Sequence, residues 1–307
     1  MLCVTGASGF VGTHVCNLLR RRDIPFIAPP SGDIDLRNHR AATELLDRGV
    51  DRIIHLAARV GGIGYNQRVP ADLFLDNIRI GATILDACRI GDIERLVFVS
   101  TTCGYPHTPL RIPFVEDDFF AGLPEPTNAG YGIAKRSMLV GCDALHKQVG
   151  LRYAYLICAN MYGPGDDSSE LRSHVIPALI EKFREAKRTG ATSVTVWGTG
   201  RATRDFLYVE DCADAIIRAL DVDPAPNFAI NVGSGEETSI RDLAYLIADA
   251  SGYRGSIVFD PTRPDGQPRR VLDCTRAREI LGWSAKTKLS NGLQKTHGMQ
   301  TKIDANP

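Results

Sequence analysis

Short apolar runs alternate with amphipathic stretches through the first two thirds of the chain. "MLCVTG", "PFIAP", "RIIHLAA", "RLVFVS" and "RYAYLICAN" are too short for core helices, and several are closed by glycine or small polar residues. Between them lie segments with helical spacing of apolar positions: "THVCNLLRRRD" and two long ones, 71–90 and 129–149. This alternation predicts a parallel sheet with helices on both faces, an α/β fold. After Tyr162 the texture changes to loop, helix and mixed strand–turn–helix segments. The pattern divides the chain into a larger unit, 1–162 with 205–235 returning to it, and a smaller one, 163–204 with 236–307. The tail after Trp283 is polar and weakly patterned, and its last ~10 residues are expected to be loosely held.

Composition narrows the classes. In 307 residues, lysine plus arginine equal aspartate plus glutamate at 36 each, so charge gives no argument for a nucleic-acid or anionic-membrane partner. No apolar run reaches the ~18 residues of a membrane span. The start "MLCVTGASG" reads as strand and turn, not as a basic leader. None of the eight cysteines forms a CxxC pair, so no zinc site is expected. Several sit in apolar runs as small hydrophobes, which points to a reducing, cytoplasmic compartment.

The first strand runs into "VTGASGFVG", which sets Gly6, Gly9 and Gly12 in a GxxGxxG pattern before a helix. The first glycine suits a tight turn, the second lets backbone amides approach a pyrophosphate, and the third lets the helix pack on the sheet. The helix N-terminus then faces the phosphates. The fold class is therefore a Rossmann-type, doubly wound parallel sheet with a smaller C-terminal α/β substrate domain. In "DIDLRN", Asp35 suits either the adenine amino group or a helix N-cap. After the second strand, "FIAPPSG" carries neither the acidic residue that favours NAD nor an arginine that favours NADP. Ser31 and the amides near Gly32 suit a 2′-phosphate, so both cofactors stay open, with a lean to NADP.

"YGIAK" places Tyr131 and Lys135 on one helical face. A neighbouring ammonium, together with the positive nicotinamide of an oxidised cofactor, is expected to lower the phenol's pKa toward acid–base use. Thr101, at a strand end, suits a hydrogen bond to the same substrate oxygen. In "STTCGYP", Cys103 follows Thr101 by two places and is expected to face the same side of an extended chain.

These motifs resemble the extended short-chain dehydrogenase/reductase family (NAD-dependent epimerase/dehydratases), from "TGASGFVG" through "HLAA", "YGIAK" and "NMYGPGD" to "NVGSG". "VGGIGYNQRVPADLFLDN", "STTCGYP", "EPTNAGYGIAK", "SHVIPALIEKF" and "RPDGQPRRVLD" are similar to its GDP-L-fucose synthase branch. The resemblance implies that Thr101, Tyr131 and Lys135 act with NAD(P) on a sugar ketone. It further implies that Cys103 and His174 epimerise the carbons beside that ketone. Implied cofactor contacts are Gly6, Ser8, Gly9, Phe10, Val11, Gly12, Asp35, Leu36, Leu56, Ala57, Ala58, Asn77, Tyr131, Lys135 and Asn160. Implied nucleotide-sugar contacts are Asn160, His174, Lys182, Trp197, Arg204 and Asp265, with Arg204 suited to pyrophosphate by its bidentate guanidinium. The expected activity is that of a GDP-sugar epimerase/reductase. The alternatives are a nucleotide-sugar 4-epimerase with recycled NAD, and a non-catalytic dinucleotide-sensing scaffold. The two long helices are expected to form a homodimer interface.

Overall fold

The structure is a computed structural model and describes residues 1–169, 173–222, 229–263 and 265–304. In the first half, β1 (Leu2–Thr5), α1 (Phe10–Arg21), β2 (Phe26–Ile27), α2 (Ala41–Leu46) and β3 (Arg52–His55) lead to α3 (Ile63–Arg68) and α4 (Pro70–Ile90). They continue into β4 (Arg95–Thr101), α5 (Ala129–Val149) and β5 (Arg152–Cys158). The second half runs β6 (Asn160–Tyr162), α6 (Val175–Thr189), β7 (Ser193–Trp197), β8 (Thr203–Arg204), β9 (Phe206–Tyr208), α7 (Val209–Arg218), β10 (Ala229–Val232) and β11 (Thr238–Ser239). It ends with α8 (Ile240–Ser251), β12 (Ser256–Asp260), β13 (Arg269–Arg270), α9 (Thr275–Leu281) and α10 (Leu289–Asp304).

Six parallel strands form the main sheet in the order β10-β5-β4-β3-β1-β2. Side chains of β1, β4 and β5 are buried on both faces, which is why these strands read as continuous apolar runs. α1 packs beside α7, and α4 packs beside α5. β1 lies between β2 and β3, so the winding reverses there and opens a crevice at the carboxyl ends of the strands.

Smaller sheets follow: β7 with β12, β6 with β9, and β8 between β11 and β13. A second core gathers Tyr162, Ile176, Leu179, Ile180, Phe183, Val194, Val196, Leu243 and Ile247. The last elements are shared between the two cores, because Leu272, Ala277, Leu281 and Trp283 pack with the main sheet. The tail after Trp283 carries α10, anchored ahead of its last ten residues. Its weak pattern hides an anchored face, with Leu293 buried and Gly292 seated so close to Tyr162 that a Cβ would lie 2.1 Å from the phenol oxygen. Residues 305–307, part of the tail expected to be loose, lie outside the described residues.

Candidate active site

The crevice at the strand ends continues between the two cores as one cleft of about 2150 Å³. Its first wall is the glycine turn. Gly6 has φ +71°, and a Cβ there would lie 2.6 Å from the Ala57 nitrogen. At Gly12 a Cβ would lie 2.1 Å from the Gly6 carbonyl oxygen, so glycine alone lets α1 come this close to β1. Gly9 is different: its Cβ would touch only that same oxygen, at 3.3 Å. Protein packing therefore does not account for Gly9 as it does for the other two. Gly9 is also the N-cap of α1 and offers no side-chain cap, so the helix presents backbone amides to the cleft. The turn fits the pyrophosphate of a dinucleotide.

Around it the cleft is lined by Ser8, Phe10, Val11, Leu36, Leu56, Ala57 and Ala58. Asp35 lines it too, but it is not a helix N-cap, since α2 starts at Ala41 and Arg40 precedes it. Its carboxylate receives the Arg37 side chain on both oxygens, at 2.9 and 2.8 Å, and the Arg37 amide at 3.0 Å. That pairing holds the Asp35 carboxyl below its usual pKa. Asn77 is not brought to the cleft. It is buried, accepts from the Arg59 amide and donates to the Arg59 and Leu73 carbonyls, so it pins the loop after β3. Arg37 and Arg59 also line the cleft, and no sequence motif marks either of them.

The middle of the cleft holds Thr101, Cys103, Tyr131, Lys135 and Asn160. Thr101 and Cys103 share the site for a reason other than strand alternation. The strand ends at Thr101, and Thr102–Gly104 form a 3₁₀ turn whose Cys103 amide donates to Thr101 Oγ1 at 3.2 Å. That bond uses a lone pair and leaves the hydroxyl proton of Thr101 free to donate. α5 meets this turn at Gly132, where a Cβ would lie 2.2 Å from the Cys103 carbonyl oxygen. The glycine after Tyr131 thus lets the helix approach and sets the phenol beside the thiol.

The electrostatics correct one expectation. Burial pushes the Tyr131 phenol well above its ordinary pKa, and the nearby Cys103 and Cys158 thiols push it the same way. Lys135, buried with its ammonium 4.7 Å from the centre of the Phe98 ring, is pulled down to about 8 by burial. Desolvation dominates at both groups and keeps the phenol protonated, able to donate.

Toward the second core, Arg204 lies in the cleft with its guanidinium on the backbone carbonyls of Thr203 and Gln267, at 2.7 and 2.6 Å. Burial and Arg270 beside it lower its pKa to about 10. Neither arginine forms a salt bridge among the described residues, so two cations face one cavity without a carboxylate partner. Such a pair calls for an anion. Arg270 and Gln267 were within the quoted stretch "RPDGQPRRVLD" but were not singled out as site residues. Asp265 is occupied: it accepts from the Thr199 amide and hydroxyl, both at 2.7 Å, and fixes that turn. Trp197 is 60% exposed at the far end, with the Lys182 ammonium 5.2 Å and the Arg263 guanidinium 5.1 Å from its ring centre. Lys182 also donates to the Thr195 carbonyl at 3.1 Å.

His174 stands at the N-cap position of α6 but does not cap it. Its ring is 52% exposed in the cleft, and Nδ1 lies 3.9 Å from Asp166 Oδ1. The Asp166 carboxylate raises the imidazole pKa against partial desolvation, with Asp167 adding to the rise.

A doubly wound sheet, a glycine turn at its switch point and a Thr–Tyr–Lys cluster define a nicotinamide-dependent enzyme of the short-chain dehydrogenase/reductase type. Residues 2–233 match the NAD dependent epimerase/dehydratase family, and the chain belongs to that family. It is 36% identical to the GDP-L-fucose synthase of Escherichia coli over 304 residues, covering 96% of this chain and 94% of that protein. It is 34% identical to the GDP-L-colitose synthase of Yersinia pseudotuberculosis, covering 96% of each. A crystal structure of a GDP-L-fucose synthetase from Naegleria fowleri bound to NADP superposes with a TM-score of 0.90 at 26% identity, covering 99% of this chain and 93% of that one. No described helix is long and apolar enough to cross a membrane.

Proposed function

We propose that this protein is a GDP-sugar epimerase/reductase that acts on a GDP-4-keto-6-deoxy-hexose or a close relative, with NADP(H) as cofactor. The observation that carries the reading is the single cleft that collects the glycine turn, Tyr131, Lys135, Cys103, His174 and the unpaired Arg204–Arg270 cations. The relatives' names, both GDP-sugar synthases, support the substrate class. The NADP named for the Naegleria structure supports the cofactor.

In this reading residues 1–162 with 205–235 hold the cofactor, and 163–204 with 236–307 hold the sugar nucleotide. The cofactor's pyrophosphate rests on the amides after Gly9. Arg204 and Arg270 take the substrate diphosphate, and Trp197 borders the base. The 4-ketone acidifies the carbons on either side of it. Cys103 removes a proton as thiolate, and His174 returns one from the other face as imidazolium. Thr101 and Tyr131 donate to the enolate oxygen. Bound NADPH supplies the hydride that reduces the ketone. Tyr131 protonates the resulting alkoxide, and the Lys135 ammonium supports the phenol as it gives up its proton. A 4-epimerase that recycles its cofactor has no use for the Cys103–His174 pair.

The outward faces of α4 and α5 carry exposed Leu75, Ala82, Val140 and Ala144, which suit a homodimer built on these two helices. The eight free cysteines suit the cytoplasm. The test is incubation with GDP-4-keto-6-deoxy-mannose and NADPH in heavy water. Expected are stoichiometric NADPH oxidation and deuterium beside C4 in the product. A product without deuterium, or turnover without NADPH oxidation, would overturn the reading. Light scattering on wild type and Val140→Arg checks the dimer: the variant should be monomeric.

A further inference from the structure

The loop between β6 and α6 carries a carboxylate whose placement the reaction as written does not use. Asp166 is buried, its side chain only 5% exposed, yet it lines the cleft. Its Oδ1 accepts from the Asp167 amide at 2.9 Å and lies 3.9 Å from His174 Nδ1. Its Oδ2 is buried without a hydrogen-bond partner. A buried carboxylate oxygen left unpaired is costly, so the arrangement calls for a donor. The loop is held in place from the cofactor side, where His14 of α1 bonds the Pro164 carbonyl at 2.9 Å.

We infer that Asp166 is the positioning residue for His174: it accepts a hydrogen bond from Nδ1–H, fixes the ring, and leaves Nε2 to deliver its proton to the sugar. The inference rests on the reading of His174 as proton donor given above. An approach of about 1 Å would convert the observed separation into a charge-assisted hydrogen bond. Nδ1 is the nitrogen nearest Asp166, so Nε2 is the one available to substrate.

The surroundings make a carboxylate necessary. His174 stands at the N-terminus of α6, whose amides and partial positive charge disfavour an imidazolium. The charged groups that face the ring are Asp166 and Asp167, both from the loop, and both favour the protonated form. Lys182, on α6 itself, is two turns away with its ammonium on the Thr195 carbonyl. Without Asp166 the helix end and desolvation would oppose the cation, and a neutral imidazole has no proton to give from Nε2 when Nδ1 holds it.

The experiment is an NMR titration of the His174 ring in the full-length protein, with solvent deuterium uptake by the 4-keto sugar as the second readout. Asp166→Asn should move the His174 midpoint down by about one pH unit or more. It should also slow His174-dependent deuterium uptake roughly tenfold at pH 8, while NADPH affinity stays that of wild type. Asp166→Glu should recover much of both. A purely structural role would lower thermal stability and cofactor affinity without moving the midpoint. A midpoint in Asp166→Asn equal to wild type overturns the inference. So does a wild-type midpoint at or below that of free histidine, a measurement that needs no variant to fold. His174→Gln separates the two levels. If it takes up deuterium at the wild-type rate, the donor reading falls, and the inference with it. If it loses uptake while Asp166→Asn changes neither midpoint nor rate, the inference alone falls.

Discussion

The guanidinium of Arg270 directs one nitrogen to the Cys103 sulfur, 3.7 Å away, and fixes two others on the Gln267 side-chain oxygen at 3.0 and 2.8 Å. Gln267 is itself held by the His107 carbonyl at 2.9 Å. A buried cation is thus aimed at the thiol by a chain of hydrogen bonds from residues far apart in sequence. The guanidinium is placed to hydrogen-bond the sulfur and to steady negative charge that develops on it during reaction. Of the eight cysteines, Cys103 alone is partly exposed, so alkylation reports on it selectively. Arg270→Met should slow iodoacetamide alkylation at pH 7 by roughly three- to tenfold, with a parallel loss of deuterium uptake by substrate. An unchanged alkylation rate would separate Arg270 from the thiol's chemistry.

Tyr131→Phe removes the proton donor and little else, since the ring stays buried against the Cys103 turn. Cofactor affinity should hold while reduction at C4 falls by ~10²-fold or more. Stopped-flow measurement of NADPH oxidation with the ketone substrate checks it. A change of only a few-fold would place the acid elsewhere.

Gly9 and Gly12 should respond differently to substitution. Gly12→Val drives atoms into the Gly6 carbonyl and the Ala7 backbone, so the protein should lose stability or fail to fold. Gly9→Val meets only the Gly6 carbonyl oxygen, so the fold should persist with a modest drop in melting temperature. NADPH binding, followed by fluorescence titration, should nevertheless be lost, because the side chain blocks the backbone amides. A folded Gly9→Val variant with wild-type affinity would show that the pyrophosphate does not approach this turn.

Lys135 gives the reaction an alkaline limit. Burial brings its ammonium down to about 8, so the cation is present below that pH and disappears as pH rises through it. The kcat/KM of reduction should therefore fall on the alkaline side near pH 8, and Lys135→Arg, which stays charged, should move that limb upward. The stability effect has its own sign. The unfolded chain keeps this lysine protonated to higher pH than the folded one, so the unfolded state binds more protons between about 8 and the ordinary lysine value. The lysine's unfavourable contribution is full below pH 8 and fades above it. Lys135→Met should raise the melting temperature at pH 7, and the gain should shrink toward pH 10.

The order of strands and helices, the glycine turn and the Tyr131–Lys135 pair were legible in the sequence because each is local. Strand burial writes itself as an apolar run, Gly6 answers to the positive φ of its turn and Gly12 to the Gly6 carbonyl close by, and residues four apart share a helix face. The resemblance carried over from those motifs also led to Cys103, His174 and Arg204. What surrounds each group was settled by residues far away in sequence. Arg270 comes to Cys103 from β13, Asp166 comes to His174 from the loop after β6, and Asp265, at the edge of the cleft, is held by Thr199. Asn77 sits on a helix beside the cleft yet spends its amide on the loop after β3. Tyr131 shares its helix face with Lys135, as the spacing promised, but burial in the packed protein raises the phenol's pKa and keeps it protonated. Sequence spacing determines which side chains share a face. Hydrogen-bond partners and desolvation, which set protonation and reactivity, exist only once distant segments have packed together.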